Sequence, residues 1–142
     1  MKRILKGLLL AGWMLLIFSL SNQSGTASQE LSDGILYRLA LFISRFREID
    51  IRSFVLSAGY AIRKAAHVFE YGVLYILAYE FLKEFGTART ALYGLLLCIL
   101  YAFFDEFHQL FIDGRSGQLS DCLFDGSGSF LAFLLWHRIH KE

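Results

Sequence analysis

Apolar residues are concentrated in four stretches of the chain, which are separated by short segments rich in charged residues and glycine. The stretches cover residues 4–20, 65–82, 91–112 and 119–136. Each is close to the roughly 20 apolar residues that an α-helix needs to cross a bilayer. No proline interrupts them, which suits continuous helices. The pattern predicts an all-α integral membrane bundle of about four transmembrane helices, forming a single domain over residues 1–142.

The first stretch allows two interpretations. It follows Lys2 and Arg3 and contains Lys6, whose long side chain can reach the headgroups while its stem stays in lipid. We favour a first transmembrane helix. The alternative is a secretory signal peptide, with the same three basic residues before its apolar segment and a cleavage site near residues 25–27. Either interpretation leaves the three later stretches as spans.

A more polar connection joins the first two stretches. Residues 21–32 are rich in serine and glutamine and are predicted to form a polar link. Residues 35–49 combine spaced apolar positions with Arg38, Arg45 and Arg47, which predicts an amphipathic helix. Such a helix lies either in the membrane interface or against the outer ends of the bundle.

The composition favours lipid as the solvent. Apolar residues make up 56% of the chain and charged residues 19%, whereas soluble domains are nearer 45–50% and about 25%. The net charge of +1, without a basic stretch interleaved with aromatic residues, argues against nucleic acid as a partner. Cys98 and Cys122 match no CxxC or zinc spacing, so we interpret them as small buried residues.

The distribution of lysine and arginine predicts the orientation. With four spans, both termini and the turn at residues 83–90 lie on one side, and the glycine-rich turn at 113–117 lies on the other. The first side holds Lys2, Arg3, Lys6, Lys83, Arg89, Arg138 and Lys141. The opposite turn holds only Arg115, which favours cytoplasmic termini. Six basic residues in the 21–64 segment argue the other way.

Ionisable residues inside apolar stretches predict a functional site. A charged side chain in a bilayer costs at least about 2.5 kcal/mol, so its presence there needs a reason. The start of the second span, the end of the third and the start of the fourth all lie on one side, which the favoured orientation makes the outer leaflet. The opposite helix ends hold no comparable polar set in the sequence. The expected group comprises Arg63, Lys64, His67, Glu70, Tyr71, Asp105, Glu106, His108, Gln109, Arg115, Asp121 and Asp125, with Ser21 and Gln23 from the end of the first span.

These residue types suit several chemistries. His67, Glu70, Asp105, His108 and Asp121 form a hypothetical acid/base cluster. Arg63, Lys64 and Arg115 are candidates for binding an anion. The remaining members, Tyr71, Glu106, Gln109, Asp125, Ser21 and Gln23, are expected to support them.

A metal and a purely structural role both stay open. The pairs His67-x-x-Glu70 and Asp105-x-x-His108 have the spacing of metal ligands within a helical bundle. Two short pairs identify neither a metal nor any other cofactor. The same groups could also form a network of hydrogen bonds that holds the helices together.

Several of these residues recur in a motif order that resembles the VanZ-like family of membrane proteins. The first motif is Arg63-Lys64-x-x-His67-x-x-Glu70-Tyr71. The second is Asp105-Glu106-x-His108-Gln109-x-Phe111-x-x-x-Arg115, followed by Asp121-x-x-x-Asp125-x-x-Gly128. The end of the first span, Phe18-Ser19-x-Ser21-x-Gln23, is similar to the end of the family's first helix.

The resemblance implies a small multi-pass bacterial membrane protein. The family's namesake is associated with low-level resistance to the glycopeptide teicoplanin, which supplies a phenotype and no reaction. We expect a protein whose polar cluster binds or modifies an anionic or lipid-linked envelope component. The alternatives are a non-catalytic scaffold or binding protein, whose cluster is structural, and a transporter, which four helices could form only as an oligomer.

Overall fold

Five α-helices make up the fold. The computed structural model describes residues 1–115 and 119–140, and these parts contain no strand. The helices are α1 (Lys2–Ser21), α2 (Gly25–Ile43), α3 (Ile51–Lys83), α4 (Thr90–Gln109) and α5 (Leu119–His140). The all-α prediction is therefore confirmed. Two residues of the predicted glycine-rich turn, Ser116 and Gly117, and Lys141 of the tail lie outside the described residues.

The predicted polar link at 21–32 is wrong for most of its length, because α2 already begins at Gly25. Ser24 caps this helix, since its hydroxyl accepts a hydrogen bond from the amide of Ala27 at 3.3 Å. The predicted amphipathic helix at 35–49 is the second half of α2, and it ends at Ile43 rather than Ile49. A helix therefore does lie between the first two apolar stretches, with boundaries shifted towards the N-terminus.

The second apolar stretch is only part of a longer helix. Asp50 caps the start of α3 by accepting hydrogen bonds from the amides of Arg52 and Ser53 at 3.0 and 3.3 Å. From there α3 continues for 33 residues, or about 50 Å at 1.5 Å per residue. A hydrocarbon layer of about 30 Å accommodates only part of this length. The structure thus joins the apolar span and the preceding segment into one rod.

Central to the fold, α3 packs against each of the other four helices. Its buried residues Tyr71, Leu74 and Tyr75 form a core with Ile17 of α1 and Cys98 of α4. On the other side, Gly128 of α5 lies so close to α3 that a Cβ there would overlap the carbonyl group of Val68. This close approach fixes the spacing between the two helices that carry most of the ionisable residues of the predicted site.

By length and composition, α1 and α4 are long and apolar enough to cross a membrane. Among the described residues, the same test does not select α3 or α5, both of which carry charged residues of the predicted site. Large apolar side chains are exposed on both selected helices, including Leu8 and Leu15 of α1 and Leu100 and Phe107 of α4.

A second polar set lies at the opposite end of the bundle, where the sequence predicted none comparable. Lys6 of α1 donates to Glu80 at 2.9 Å and to Glu84 at 2.6 Å. Glu84 ends α3 as its C-cap. The hydrogen bond from Lys6 lowers the pKa of the Glu84 carboxyl below its usual value. Lys6 lies near the start of α1, and its two contacts link α1 to the C-terminal end of α3.

Candidate functional site

The end of α1 and the end of α4 meet at a buried carboxylate. Asp105 is fully buried, and its Oδ2 accepts hydrogen bonds from Ser21 Oγ at 2.8 Å and Gln109 Nε2 at 3.1 Å. Gln109 Nε2 also lies 3.4 Å from Ser21 Oγ. A donor on α1 and a donor one turn along α4 therefore hold Asp105 by one oxygen.

A second buried carboxylate joins α5 to α3. Asp125 is fully buried, and its Oδ1 lies 3.1 Å from His67 Nδ1. The ring proton on Nδ1 would make His67 the donor in this contact. Ser129, one turn along α5, donates to the backbone oxygen of Tyr71 at 3.2 Å. The polar contacts and the close approach at Gly128 occupy the same helix pair, so packing and polar contacts position His67 together.

Three side chains from three helices form the centre of the cluster. His67, Asp105 and Asp125 each offer one nitrogen or oxygen atom, and these atoms all lie within 4.8 Å of one another. The second carboxylate oxygens, Asp105 Oδ1 and Asp125 Oδ2, are buried and have no hydrogen-bond partner. Since buried polar atoms are nearly always paired, these two oxygens are open to a ligand.

A cavity of about 460 Å³ opens beside this centre, between α2 and α3. His67 and Glu70 lie in its wall with Ser21 and Gln109. The basic residues Arg63, Lys64 and Arg115 line it too. The polar residues contributed by α2 and the segment before it are Gln23, Ser28, Gln29 and Ser32.

The three basic residues of the cavity wall make different contacts. Arg63 Nη1 donates to Ser32 Oγ at 3.4 Å, which links α3 to α2. Lys64 pairs with Asp121 and lies 5.2 Å from the centre of the Phe124 ring. Arg115 donates through Nε to the carbonyl of Gln23 at 2.9 Å and through Nη2 to that of Leu20 at 3.1 Å.

Arg115 thereby compensates the negative end of α1, because carbonyls at a helix C-terminus have no partner within the helix. Burial lowers the pKa of its guanidinium, and the nearby carboxylates Asp105, Glu106 and Glu70 oppose this change. The preceding loop is held as well: Gly114, with φ +72°, packs so tightly on Gly25 that a Cβ on Gly25 would overlap its carbonyl group. The turn after α4 is therefore fastened to the start of α2.

Not every predicted residue joins the central cluster. His108 packs against the ring of Phe18 with 4.5 Å between centroids, and its Nδ1 is buried without a hydrogen-bond partner. It is neither in the cavity wall nor within the three-residue group. Tyr71 is fully buried with its hydroxyl unpaired, and Glu106 is buried near the same end of α4. Asp121 lies in the cavity wall, where it pairs with Lys64.

The cavity residues of α2 are absent from the group predicted from the sequence. Ser28 and Ser32 are four residues apart, and Ser32 Oγ donates to the backbone oxygen of Ser28 at 2.6 Å. That spacing places both on one face of a helix. This spacing is visible in the sequence, but the serine, glutamine and glutamate residues of the segment also suit a polar link.

Comparisons with known proteins identify a family for the chain. No curated protein and no solved structure matches it. A sequence model of the VanZ/LLP1 family matches residues 7–140, a range that includes every residue of the candidate site. Because this match covers nearly the whole chain, the protein belongs to the VanZ/LLP1 family.

Proposed function

We propose that this VanZ/LLP1 protein crosses the membrane four times and that its cavity binds an anionic, lipid-linked component of the cell envelope. The proposed spans are α1, the C-terminal part of α3, α4 and α5. The single observation that carries the binding proposal is the cavity of about 460 Å³. Its wall combines basic residues with ionisable groups that are costly to place near lipid.

Two polar sets at opposite ends of α1 support the four-span arrangement. Ser21 contacts Asp105 at one end, and Lys6 contacts Glu80 and Glu84 at the other. Ser21 and Lys6 are fifteen helical steps apart, which is about 22 Å at 1.5 Å per residue. The layer between the two polar sets is therefore about three quarters of the roughly 30 Å hydrocarbon thickness of a bilayer.

The contacts of α1 also favour a retained first span over a cleaved signal peptide. Trp13 Nε1 donates to the backbone oxygen of Glu70 at 2.9 Å, and the Tyr101 hydroxyl donates to the backbone oxygen of Met14 at 2.6 Å. Ser21 donates to Asp105. Removing α1 would leave the Tyr101 hydroxyl without its acceptor and Asp105 without one of its two donors. We also propose that both termini lie in the cytoplasm. A reporter fused to either terminus that is active outside the cell would contradict this orientation.

Within the cavity, Arg63 and Lys64 are the proposed anion-binding residues. Arg63 has one long contact to Ser32 at 3.4 Å, so most of its five donors remain for a ligand. Arg115 is largely engaged by two backbone carbonyls and positions the wall instead. His67 and Glu70 are the proposed proton-exchanging residues, and they face the bound group. Asp105 supports them from the side away from the bound group.

Binding of a polyprenyl monophosphate to the purified protein in phosphatidylcholine nanodiscs tests this proposal. We expect the monophosphate to bind more tightly than the uncharged polyprenol. Arg63→Gln should weaken its binding at least about tenfold, since a charge-assisted contact contributes about 1.5–3 kcal/mol. Arg38→Gln is the matched control, because Arg38 is exposed on α2 and absent from the cavity wall. Equal affinity for both lipids, or equal effects of the two substitutions, would contradict the proposal.

The interhelical hydrogen bonds favour a second candidate function, a non-catalytic scaffold that binds the antibiotic or a cell-wall enzyme. Ser21, Asp105 and Gln109 link α1 to α4, and His67 with Asp125 links α3 to α5. Such contacts contribute roughly 0.6 kcal/mol each within membranes. The two candidate functions differ at Glu70, which a scaffold does not need as an acid.

A further inference from the structure

We infer that His67, Asp105 and Asp125 form a binding site for one divalent transition-metal ion of the Mn²⁺ or Zn²⁺ class. The site is independent of the headgroup proposal, since it needs no lipid ligand. It also differs from the two pairs that the sequence suggested, because it joins α3, α4 and α5 and includes neither Glu70 nor His108.

The three side chains lie close enough together to share one ion. One donor atom from each residue lies within 4.8 Å of the other two. Ligands at about 2.1 Å from a metal lie about 3–4.2 Å apart in octahedral or tetrahedral sites. A pair at the 4.8 Å limit would close by about 0.6 Å to become trans ligands of an octahedral ion, and by about 1.4–1.8 Å to become tetrahedral or cis ligands, shifts that side-chain rotation can supply.

Both carboxylates of the group have an unpaired oxygen. Asp105 and Asp125 are both fully buried, yet Asp105 Oδ1 and Asp125 Oδ2 have no hydrogen-bond partner. Neither carboxylate forms an ion pair with lysine or arginine in residues 1–115 and 119–140. Buried charges are normally paired or coordinate metals. A divalent cation would neutralise both carboxylates and occupy their free oxygens.

Asp105 is also held by outer hydrogen bonds, as the carboxylates of metal sites are. Ser21 and Gln109 bind its Oδ2, which leaves the buried Oδ1 without a hydrogen-bond partner. Outer hydrogen bonds of this kind fix the direction of ligating carboxylates in metal sites. His67 also lines the cavity, which gives an ion a path to the site.

The ligand types indicate the class of ion. Carboxylates suit Mg²⁺, Ca²⁺ and Mn²⁺, whereas imidazole suits Zn²⁺ and other late transition metals. One imidazole with two carboxylates therefore favours Mn²⁺ or Zn²⁺ over Mg²⁺ and Ca²⁺. Further positions would be filled by water or by a ligand in the cavity.

Equilibrium dialysis of the detergent-purified full chain against Mn²⁺ or Zn²⁺, after chelator treatment, tests the inference. We expect about one ion per chain. Asp105→Asn and Asp125→Asn should each weaken binding at least tenfold, as loss of a charged ligand requires. Glu30→Gln and His137→Gln are the controls, because neither residue belongs to the cluster or the cavity wall. Absence of stoichiometric binding to the wild type, or binding by folded variants equal to the wild type, would overturn the inference.

A measurement on the wild type avoids dependence on variants that fold poorly. Pulsed electron paramagnetic resonance of the Mn²⁺-loaded protein should detect one imidazole nitrogen coupled to the metal. Its absence in a protein that binds Mn²⁺ would place the ion elsewhere and overturn the site. Arg63→Gln should bind metal normally, so failure of headgroup binding and failure of metal binding are distinguishable.

Discussion

At the scale of single residues, Glu70 separates a working site from a structural one. Its side chain lines the cavity and makes no hydrogen bond within the described residues. The contact from Trp13 goes to the backbone oxygen of Glu70 instead. Asp105 and Asp125, by contrast, are fully buried and each bonded through one oxygen. A scaffold therefore loses little when Glu70 becomes neutral, whereas a proton-exchanging site loses its acid.

The predicted effect of Glu70→Gln follows from this difference. Expression of the wild-type chain should raise the teicoplanin concentration that stops bacterial growth, and Glu70→Gln should abolish the increase at unchanged membrane abundance. Binding of the monophosphate should not weaken, since a repulsive charge is removed. Glu30→Gln, an exposed position on α2, should behave as the wild type. A full increase with Glu70→Gln would favour the scaffold.

Sequence could identify the charged residues of the cavity wall and of the central cluster, because charged residues are unusual within or beside apolar stretches. His67, Glu70 and Asp105 are conspicuous within apolar stretches, and the alternation of spans predicts one common end for them. Sequence could not separate His67 and Asp105 from His108, since that depends on which way each helix is rotated. The structure turns His108 against Phe18, outside the central group.

At the scale of helices, spacing between α3 and α5 controls the centre of the cluster. Gly128 has no room for a side chain against Val68, while a Cβ on Gly126 would meet no atom within 4 Å. His67 and Asp125 form their contact across the same pair of helices. The apolar pattern predicted both helices, but a glycine contact between them depends on tertiary packing that no single segment encodes.

We predict that Gly128→Ala destabilises the protein by about 1–3 kcal/mol, the usual cost of overpacking. It should also weaken the contact between His67 and Asp125 by moving the helices apart. Gly126→Ala should be neutral or slightly stabilising, because alanine favours helix more than glycine does. Thermal unfolding in detergent measures both. Equal melting temperatures for the two variants would show that the helices tolerate the added methyl group.

At the scale of the whole molecule, the two ends of the bundle are stabilised differently. The end near the cavity uses buried groups, whereas the other end uses the partly exposed ion pairs of Lys6 with Glu80 and Glu84. Pairs of this kind contribute little and respond to pH and salt. The four apolar stretches predicted the bundle, but not this second contact, since it depends on α1 lying beside the end of α3.

The lowered pKa of Glu84 sets the sign of a pH effect. A carboxyl whose pKa is lower in the folded state stabilises above its unfolded pKa, and the contribution disappears as the pH falls through the folded value. Lys6→Met should therefore lower the melting temperature slightly at neutral pH, and the difference should vanish in acid. Arg38→Met is the control, because Arg38 is exposed on α2 and takes no part in these ion pairs. A difference that persists or grows in acid would contradict this role for the pair.

Biosynthesis gives the contacts of Asp105 and His67 a further consequence. Ser21 emerges from the ribosome 84 residues before Asp105, and His67 emerges 58 residues before Asp125. Ser21 and His67 therefore lack their final partners until a later helix has been synthesised. A truncated chain that lacks the last helix would retain an unmatched histidine, so incomplete products should be recognisable to membrane quality-control proteases by polar groups that only a finished chain conceals.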